Sequence, residues 1–417
     1  MPYDLVIHAA GRDVAIEDGV IAAFASGPAR EEIDARTLHL LPGVIDAHVH
    51  FNEPGRTDWE GWATGTRALA AGGATACIEM PLNAHPPTID GAAFDAKAAA
   101  AGATAVVDFA LWGGIVPGNL GRLDELAERG VVGFKAFMCD SGIEDFPAAD
   151  DDTLAAGMQR AAALDLPVAV HAEDPDGLTA PRGTDWRAFV ASRPVEAELN
   201  AIARALQLAR ETGCSLHVVH VSSARGVELV KNAGIDATCE TCPHYLTLTD
   251  EDLEHLGTRA KCAPPLRDAH EREQLWEAIG DIAFIASDHS PCPPDMKQGH
   301  FTAAWGGIAG CQTLLPLLLD SGRLTLEQVA LLTSTNPARR FRLPKGLDLG
   351  GDADLVLVDT RDRHAPALHD RHKLSPFAGR PLRGKVVRTI LRGATVFHDG
   401  EIVARRGRLL TPTKGDT

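Results

Sequence analysis

His48 and His50 close an apolar run, residues 44–50 (VIDAHVH), two positions apart. On an extended strand that spacing sends both imidazoles to one face, where they can reach a single ion. Four further apolar runs carry a polar group in or just after the run. Lys135 stands inside residues 131–138 (VVGFKAFM), His171 within 168–173 (VAVHAE), His220 within 217–223 (HVVHVSS), and Asp288 within 284–290 (FIASDHS). Taken singly, each histidine reads as a hydrogen-bonded core residue, and His217 fits that description. A core lysine alone reads as half of an ion pair, because an unpaired buried ammonium is costly. Taken jointly, the placements point to a metal centre held by His48, His50, Lys135, His171, His220 and Asp288.

Lys135 needs its own account, since an ammonium cannot bind a cation. Desolvation lowers a buried lysine pKa and frees the neutral amine. That amine can add CO₂ to give a carbamate (N6-carboxylysine), whose two oxygens can bridge two metals. The carbamate, Asp288 and a hydroxide would offset most of the charge of two divalent ions. Such a pair lowers the pKa of bound water and so yields a nucleophile near neutral pH. Asp288, beside the hydroxide, is the candidate catalytic residue, accepting a proton and passing it to a leaving nitrogen. Zn²⁺ is the first choice of ion, and Co²⁺, Mn²⁺ or Fe²⁺ suit the same donors.

The elements that must position these groups recur along the chain. Eight short apolar runs, at residues 44–50, 75–80, 105–112, 132–138, 167–172, 215–221, 236–242 and 282–288, alternate with helix-compatible segments. Near-continuous apolar strands separated by crossover-length segments indicate a parallel sheet covered by helices. Eight of them make a (β/α)₈ TIM-like barrel, an α/β fold whose chemistry sits at the C-terminal strand ends. An open doubly wound sheet is the alternative, weakened by the absence of a phosphate-binding glycine motif. Residues 3–7, 13–16 and 20–24, and later 353–358, 386–391, 394–397 and 402–404, read as short strands that pair into a small β-sandwich built from both termini. The expected division is residues 1–43 and 346–417 in the sandwich and 44–345 in the barrel.

Composition narrows the function. The 417 residues are 45% hydrophobic and 23% charged, with a formal charge of −17, which fits a globular protein and argues against nucleic acid or an anionic membrane as partner. The start of the chain lacks the pattern of a secretion signal, and the 8 cysteines are scattered, so reduced thiols and a cytoplasmic location are expected. Cys239 and Cys242 are spaced as a zinc or redox pair but would need Cys262 or His244 to complete a site; small residues at a strand end is the plainer reading. Residues 143–152, acidic and loop-like, are either a lid or a solvated loop.

The segments LPGVIDAHVHFNEPGR (41–56), GFKAFM (133–138), VHAED (170–174), HVSS (220–223), CPHYL (242–246), KCAPPLRD (261–268), SDHSPCPP (287–294), WGGIAG (305–310) and TNPARRF (335–341) resemble the cyclic amidohydrolases, the group of dihydroorotases, hydantoinases and allantoinases. The resemblance runs nearly end to end. It implies a metal-dependent barrel with a flanking sandwich, and it implies the same six binuclear ligands. Dihydroorotases carry Arg two positions after the second histidine, where Asn52 stands here; hydantoinases carry Tyr five positions after the bridging lysine, where Asp140 stands here. What remains, HFNEPGRTDWEGW (50–62), MPLN (80–83), SDHSPCPPDMK (287–297) and AWGGIAGCQ (304–312), resembles the allantoinase branch. That implies hydrolysis of allantoin to allantoate in purine catabolism, with Asn52, Cys262, Gly306 and Gly307 near the substrate and a homotetrameric assembly. A hydantoinase of other substrate scope is the rival enzyme, and a scaffold protein that has lost catalysis is the rival outside enzymes.

Overall fold

A computed structural model of the protein describes residues 2–413; the outermost positions of the two terminal segments, residue 1 and residues 414–417, lie outside the described residues. The first strands, β1 (Tyr3–Ala9), β2 (Arg12–Glu17), β3 (Val20–Ala23) and β4 (Ala29–Ala35), form one sheet in the order β3-β2-β1-β4. β1 and β4 run parallel, with Leu5 opposite Glu31 and Ile7 opposite Ile33. β5 (His39–Pro42) leaves that sheet and joins the far end of the chain.

Next comes the barrel. β6 (Val44–Val49), β7 (Ala74–Glu79), β8 (Asp108–Leu111), β9 (Gly113–Gly114), β10 (Phe134–Phe137), β11 (Val168–His171), β12 (Leu216–Val218), β13 (Ala237–Thr241) and β14 (Phe284–Ile285) are all parallel to their neighbours. β8 and β9 are one run interrupted at Trp112, so eight staves result. The ring closes where His50 N donates to His289 O at 2.7 Å and Val49 bridges His289 in parallel. Each of the eight apolar runs overlaps one stave. Every residue of β6 and β7 is buried, because the strands face helices on one side and the barrel interior on the other. Below the mouth the interior is plugged by Trp112, Phe341 and Phe284, with ring centroids 5.1 and 5.6 Å from Phe341.

The chain then returns through β15 (Leu355–Asp359), β16 (Lys385–Leu391), β17 (Ala394–His398) and β18 (Glu401–Ile402). These pair in the order β18-β17-β16-β15-β5, so the N-terminal β5 is stitched to C-terminal strands. The two sheets enclose Leu5, Ile7, Val14, Ile16, Leu355, Leu357 and Ile390, alternate residues that period-2 geometry sends to one face. The fold is a TIM-type barrel with a β-sandwich from both ends of the chain. Two strands escape a sequence reading: β4 is an edge strand whose outward residues are charged, and β5 is only four residues long. The last described stretch also leaves the sandwich. Phe109 N donates to Arg408 O and Leu410 N to Phe109 O, which seats residues 408–410 against β8. There Asp108, Asp352 and Asp354 converge as if for a cation, but Lys345 Nζ already pairs with all three.

Candidate active site

The six predicted residues meet at the C-terminal mouth of the barrel. His48 lies in β6 and His50 is the first residue beyond it, with ring centroids 5.3 Å apart. Asp288 follows β14, and its Oδ1 lies 3.2 Å from His48 Nε2 and 3.4 Å from His50 Nε2. His171 is the last residue of β11, and its Nδ1 sits 3.0 Å from His220 Nε2. Both His220 and Asp288 adopt left-handed φ, 40° and 46°, a conformation uncommon outside glycine. At each of these strand ends the backbone turns sharply where a polar side chain meets the mouth. Lys135, on β10, is buried with Nζ 5.0 Å from the centre of the Phe137 ring.

Three buried polar atoms here have no hydrogen-bond partner: His50 Nδ1, His220 Nδ1 and Lys135 Nζ. Buried polar groups are normally satisfied, so three orphans in one cluster call for an account. The electrostatics agree with an arrangement that keeps donor lone pairs free. Burial lowers the His50 pKa to about 4 and takes His220 well below the ordinary histidine value, so both rings are neutral at pH 7. Burial likewise brings Lys135 down to about 7, against the opposing pull of Glu240 and Asp288, which makes the neutral amine accessible. Burial pushes the Asp288 carboxyl upward, but the imidazoles of His48, His50 and His220 outweigh it and hold it far below the carboxylate range.

Behind these residues stand two carboxylates that the sequence reading passed over. Glu240, on β13, accepts from His48 Nδ1 at 2.5 Å and meets His217 Nε2 at 3.2 Å; His217 Nδ1 is 2.9 Å from Thr238 Oγ1. Glu173 lies 2.7 Å from His171 Nε2 and is gripped by Arg193. Burial raises both carboxyls, yet their histidine neighbours (and Arg193 beside Glu173) bring each to about 2. As permanent anions they fix the tautomers, so that the lone pairs of His48 Nε2 and His171 Nδ1 face the mouth, the latter toward His220 Nε2. The signal was a Glu inside an apolar strand, and the flanking Cys239 and Cys242 drew the attention instead. Those cysteines are buried free thiols, and among the described residues neither joins a cluster of three metal-ligating side chains.

The mouth opens into a cleft. Cys262, Gly306 and Gly307 line it, whereas Asn52 does not: its side chain is fully buried and donates to Pro291 O at 3.3 Å. The amide that lines it is Asn83, 3.4 Å from Ser290 Oγ. Of the stretch around the expected lid, Asp140 and Ser141 reach the cleft, while Ile143 and Phe146 are buried. Asp150 caps the helix Asp151–Ala163, accepting from Thr153 N at 2.8 Å, so the acidic end of the stretch is a helix start.

A family model for the amidohydrolases matches residues 39–396. The chain belongs to the amidohydrolase family, whose members are metal-dependent hydrolases. Among its relatives it is 60% identical to an allantoinase of Rubrobacter xylanophilus, over 96% of this chain and 94% of that one, and 52% identical to an allantoinase of Solibacter usitatus, over 99% and 96%. Of solved structures, it superposes on an L-hydantoinase (dihydropyrimidinase) from Arthrobacter aurescens with a TM-score of 0.94 at 35% identity, covering 98% of this chain and all of that one. No helix among the described residues is long and apolar enough to cross a membrane.

Proposed function

We propose that this protein hydrolyses the hydantoin-ring amide of allantoin to give allantoate. The observation that carries the reading is end-to-end identity of 60% and 52% with relatives named allantoinase, combined with a cleft offering amide and hydroxyl groups (Asn83, Ser290) in its lining. Neutral donors and acceptors of that kind suit a ureido-substituted ring, which presents N–H and C=O groups but no carboxylate. A second reading, a hydantoinase, draws support from the superposition on the Arthrobacter enzyme. Turnover of allantoin, hydantoin, dihydrouracil and dihydroorotate side by side separates the two. Allantoin as the poorest of the four would reject the first reading.

The donor set fits a pair of divalent ions. Neutral, desolvated imidazoles, an ionised carboxylate and an amine without a partner are what such a site needs, and His48, His50, His171, His220, Asp288 and Lys135 would hold them. Zn²⁺ suits these donors best. When bound, the ions would supply Lewis acidity toward the ring carbonyl and make water a stronger acid. The neutral Lys135 amine would add CO₂ and release a proton to become a carbamate. Asp288, ionised at the cleft wall, would take the proton of the attacking water only briefly. It would then pass that proton to the far more basic leaving nitrogen. Glu240 and Glu173 keep the imidazoles oriented while this happens. A mass-spectrometric search for an extra CO₂ on Lys135, with metal analysis of the purified protein, tests the assignment directly.

A further inference from the structure

One wall of the cleft, residues 302–307, is fastened in an unusual way. Lys297 Nζ donates to the carbonyls of Thr258 (3.0 Å), Trp305 (2.9 Å) and Gly307 (2.7 Å), so its three N–H bonds meet three oxygens. Lys261 Nζ donates to the carbonyls of Thr302 (2.9 Å) and Ala304 (2.6 Å) and lies 4.6 Å from the Phe189 ring centre. Among the described residues neither lysine makes an ion pair. Main-chain bonds complete the weave: Gly307 N donates to Lys261 O at 2.7 Å and Trp305 N to Met296 O at 2.9 Å. Burial draws both lysines down to about 8, which leaves them ammonium ions at pH 7. Lys261 is buried and Lys297 partly so; an ammonium drawn out of water without a counter-ion is costly, and converging carbonyl dipoles are what stabilise it here.

The clamped wall is also where the substrate would lie. Trp305, Gly306 and Gly307 line the same cleft as the histidines, and Gly307 presses so closely on Ser290 that a Cβ there would come within 2.2 Å of Ser290 O. Ser290 itself follows Asp288 by two residues. The position of the wall is thereby tied to the strand end that carries the candidate catalytic carboxylate.

We propose that Lys261 and Lys297 are positioning residues for substrate binding, whose ammonium groups hold residues 302–307 as a preformed wall without touching substrate or metal. The proposal rests on the reading of this cleft as a substrate site. Removing a clamp should loosen the wall and weaken ground-state binding while leaving the chemical step and the ligand cluster intact. The test uses the full-length, metal-loaded protein with Lys297→Met and Lys261→Met, and with Lys297→Gln as a milder variant that keeps two donors. Expected are at least tenfold faster hydrogen exchange in peptides covering residues 302–307, unchanged exchange in the barrel strands, full metal content, and a KM for allantoin raised tenfold or more with kcat within threefold. Lys297→Gln should fall between wild type and Lys297→Met. Exchange and KM within twofold of wild type in all three variants would overturn the proposal. So would uniform loosening of the barrel, which would mark the lysines as general supports of the fold. Hydrogen exchange does not depend on substrate identity, so failure to turn over allantoin would sink the functional reading and leave this one standing.

Discussion

Glu240 is the residue whose removal gives the clearest quantitative outcome. It accepts from His48 Nδ1 at 2.5 Å and from His217 Nε2 at 3.2 Å, both fully buried. Glu240→Ala leaves two buried imidazole N–H groups without acceptors and frees His48 to rotate or change tautomer. Losing such a support behind a metal-ligating histidine costs about 10- to 100-fold in metal affinity, which corresponds to about 1.4–2.7 kcal/mol. Glu240→Gln should be milder for a specific reason. Its single carbonyl can serve only one imidazole. If that is His48, the amide NH₂ faces His217, which can turn tautomer and donate from Nδ1 to Thr238 Oγ1 at the existing 2.9 Å contact. Metal affinity should therefore fall about tenfold for Glu240→Gln and nearer a hundredfold for Glu240→Ala. The assay is a chelator-competition titration on each purified protein, with circular dichroism to check the fold. Affinity within twofold of wild type for both variants would refute the reasoning that Glu240 sets the His48 tautomer.

Three further outcomes are expected. Lys135→Ala should lose most bound metal and activity, with partial recovery in short-chain carboxylic acids that replace the carbamate; metal content and turnover equal to wild type would remove the bridging role. Asp288→Asn should fold normally yet lose kcat by about 10²–10⁴-fold, the range for a positioned acid–base group, and an unaltered kcat would take the proton transfer away from Asp288. Lys97→Met should destabilise the protein by about 3–5 kcal/mol, because it strands the buried carboxylate of Glu79, now 2.6 Å from Lys97 Nζ. In urea titrations the double variant Lys97→Met/Glu79→Gln should be the more stable of the two, and the reverse order would show that the pair is not the source of the loss.

The outcomes above depend unequally on what the sequence reveals. The eight barrel strands are legible because a stave covered on both faces must be apolar throughout, and a polar residue at its end then stands out. His48, His50, His171, His220, Asp288 and Lys135 are all exceptions of that sort, and the barrel brings them to one mouth. Where a strand is short or has one face in water the pattern thins out, which is why β4 and β5 pass unnoticed. The choice between Asn52 and Asn83 is harder still. Both sit at left-handed φ, 64° and 71°, so each is explained locally by the turn it makes. Both are buried, and only the packing of the loops decides that one turns against Pro291 O while the other lines the cleft.

Pairings across the chain are the least legible of all, and the mechanism leans on them most. Glu240 is 192 positions from His48, and its one local signal, a Glu inside an apolar strand, does not say which residue it pairs with. Yet the barrel topology makes the pairing nearly obligatory. β13 lies next to β14, and β14 closes against β6, so a residue pointing inward from β13 faces the inward histidines of β6 across the narrow interior. A carboxylate there can escape the cost of burial only by accepting hydrogen bonds from those histidines. An inward Glu on a barrel strand two staves from an HxH strand therefore reads as the orienting partner of a histidine. Glu173, two residues beyond His171 and just past the end of β11, is instead a local partner of the histidine that precedes it. Exchanging the Glu240 and His217 side chains, which are 3.2 Å apart, would separate topology from pairing: the swapped protein should keep its barrel and lose metal affinity, because His48 would then face an imidazole where it needs an anion.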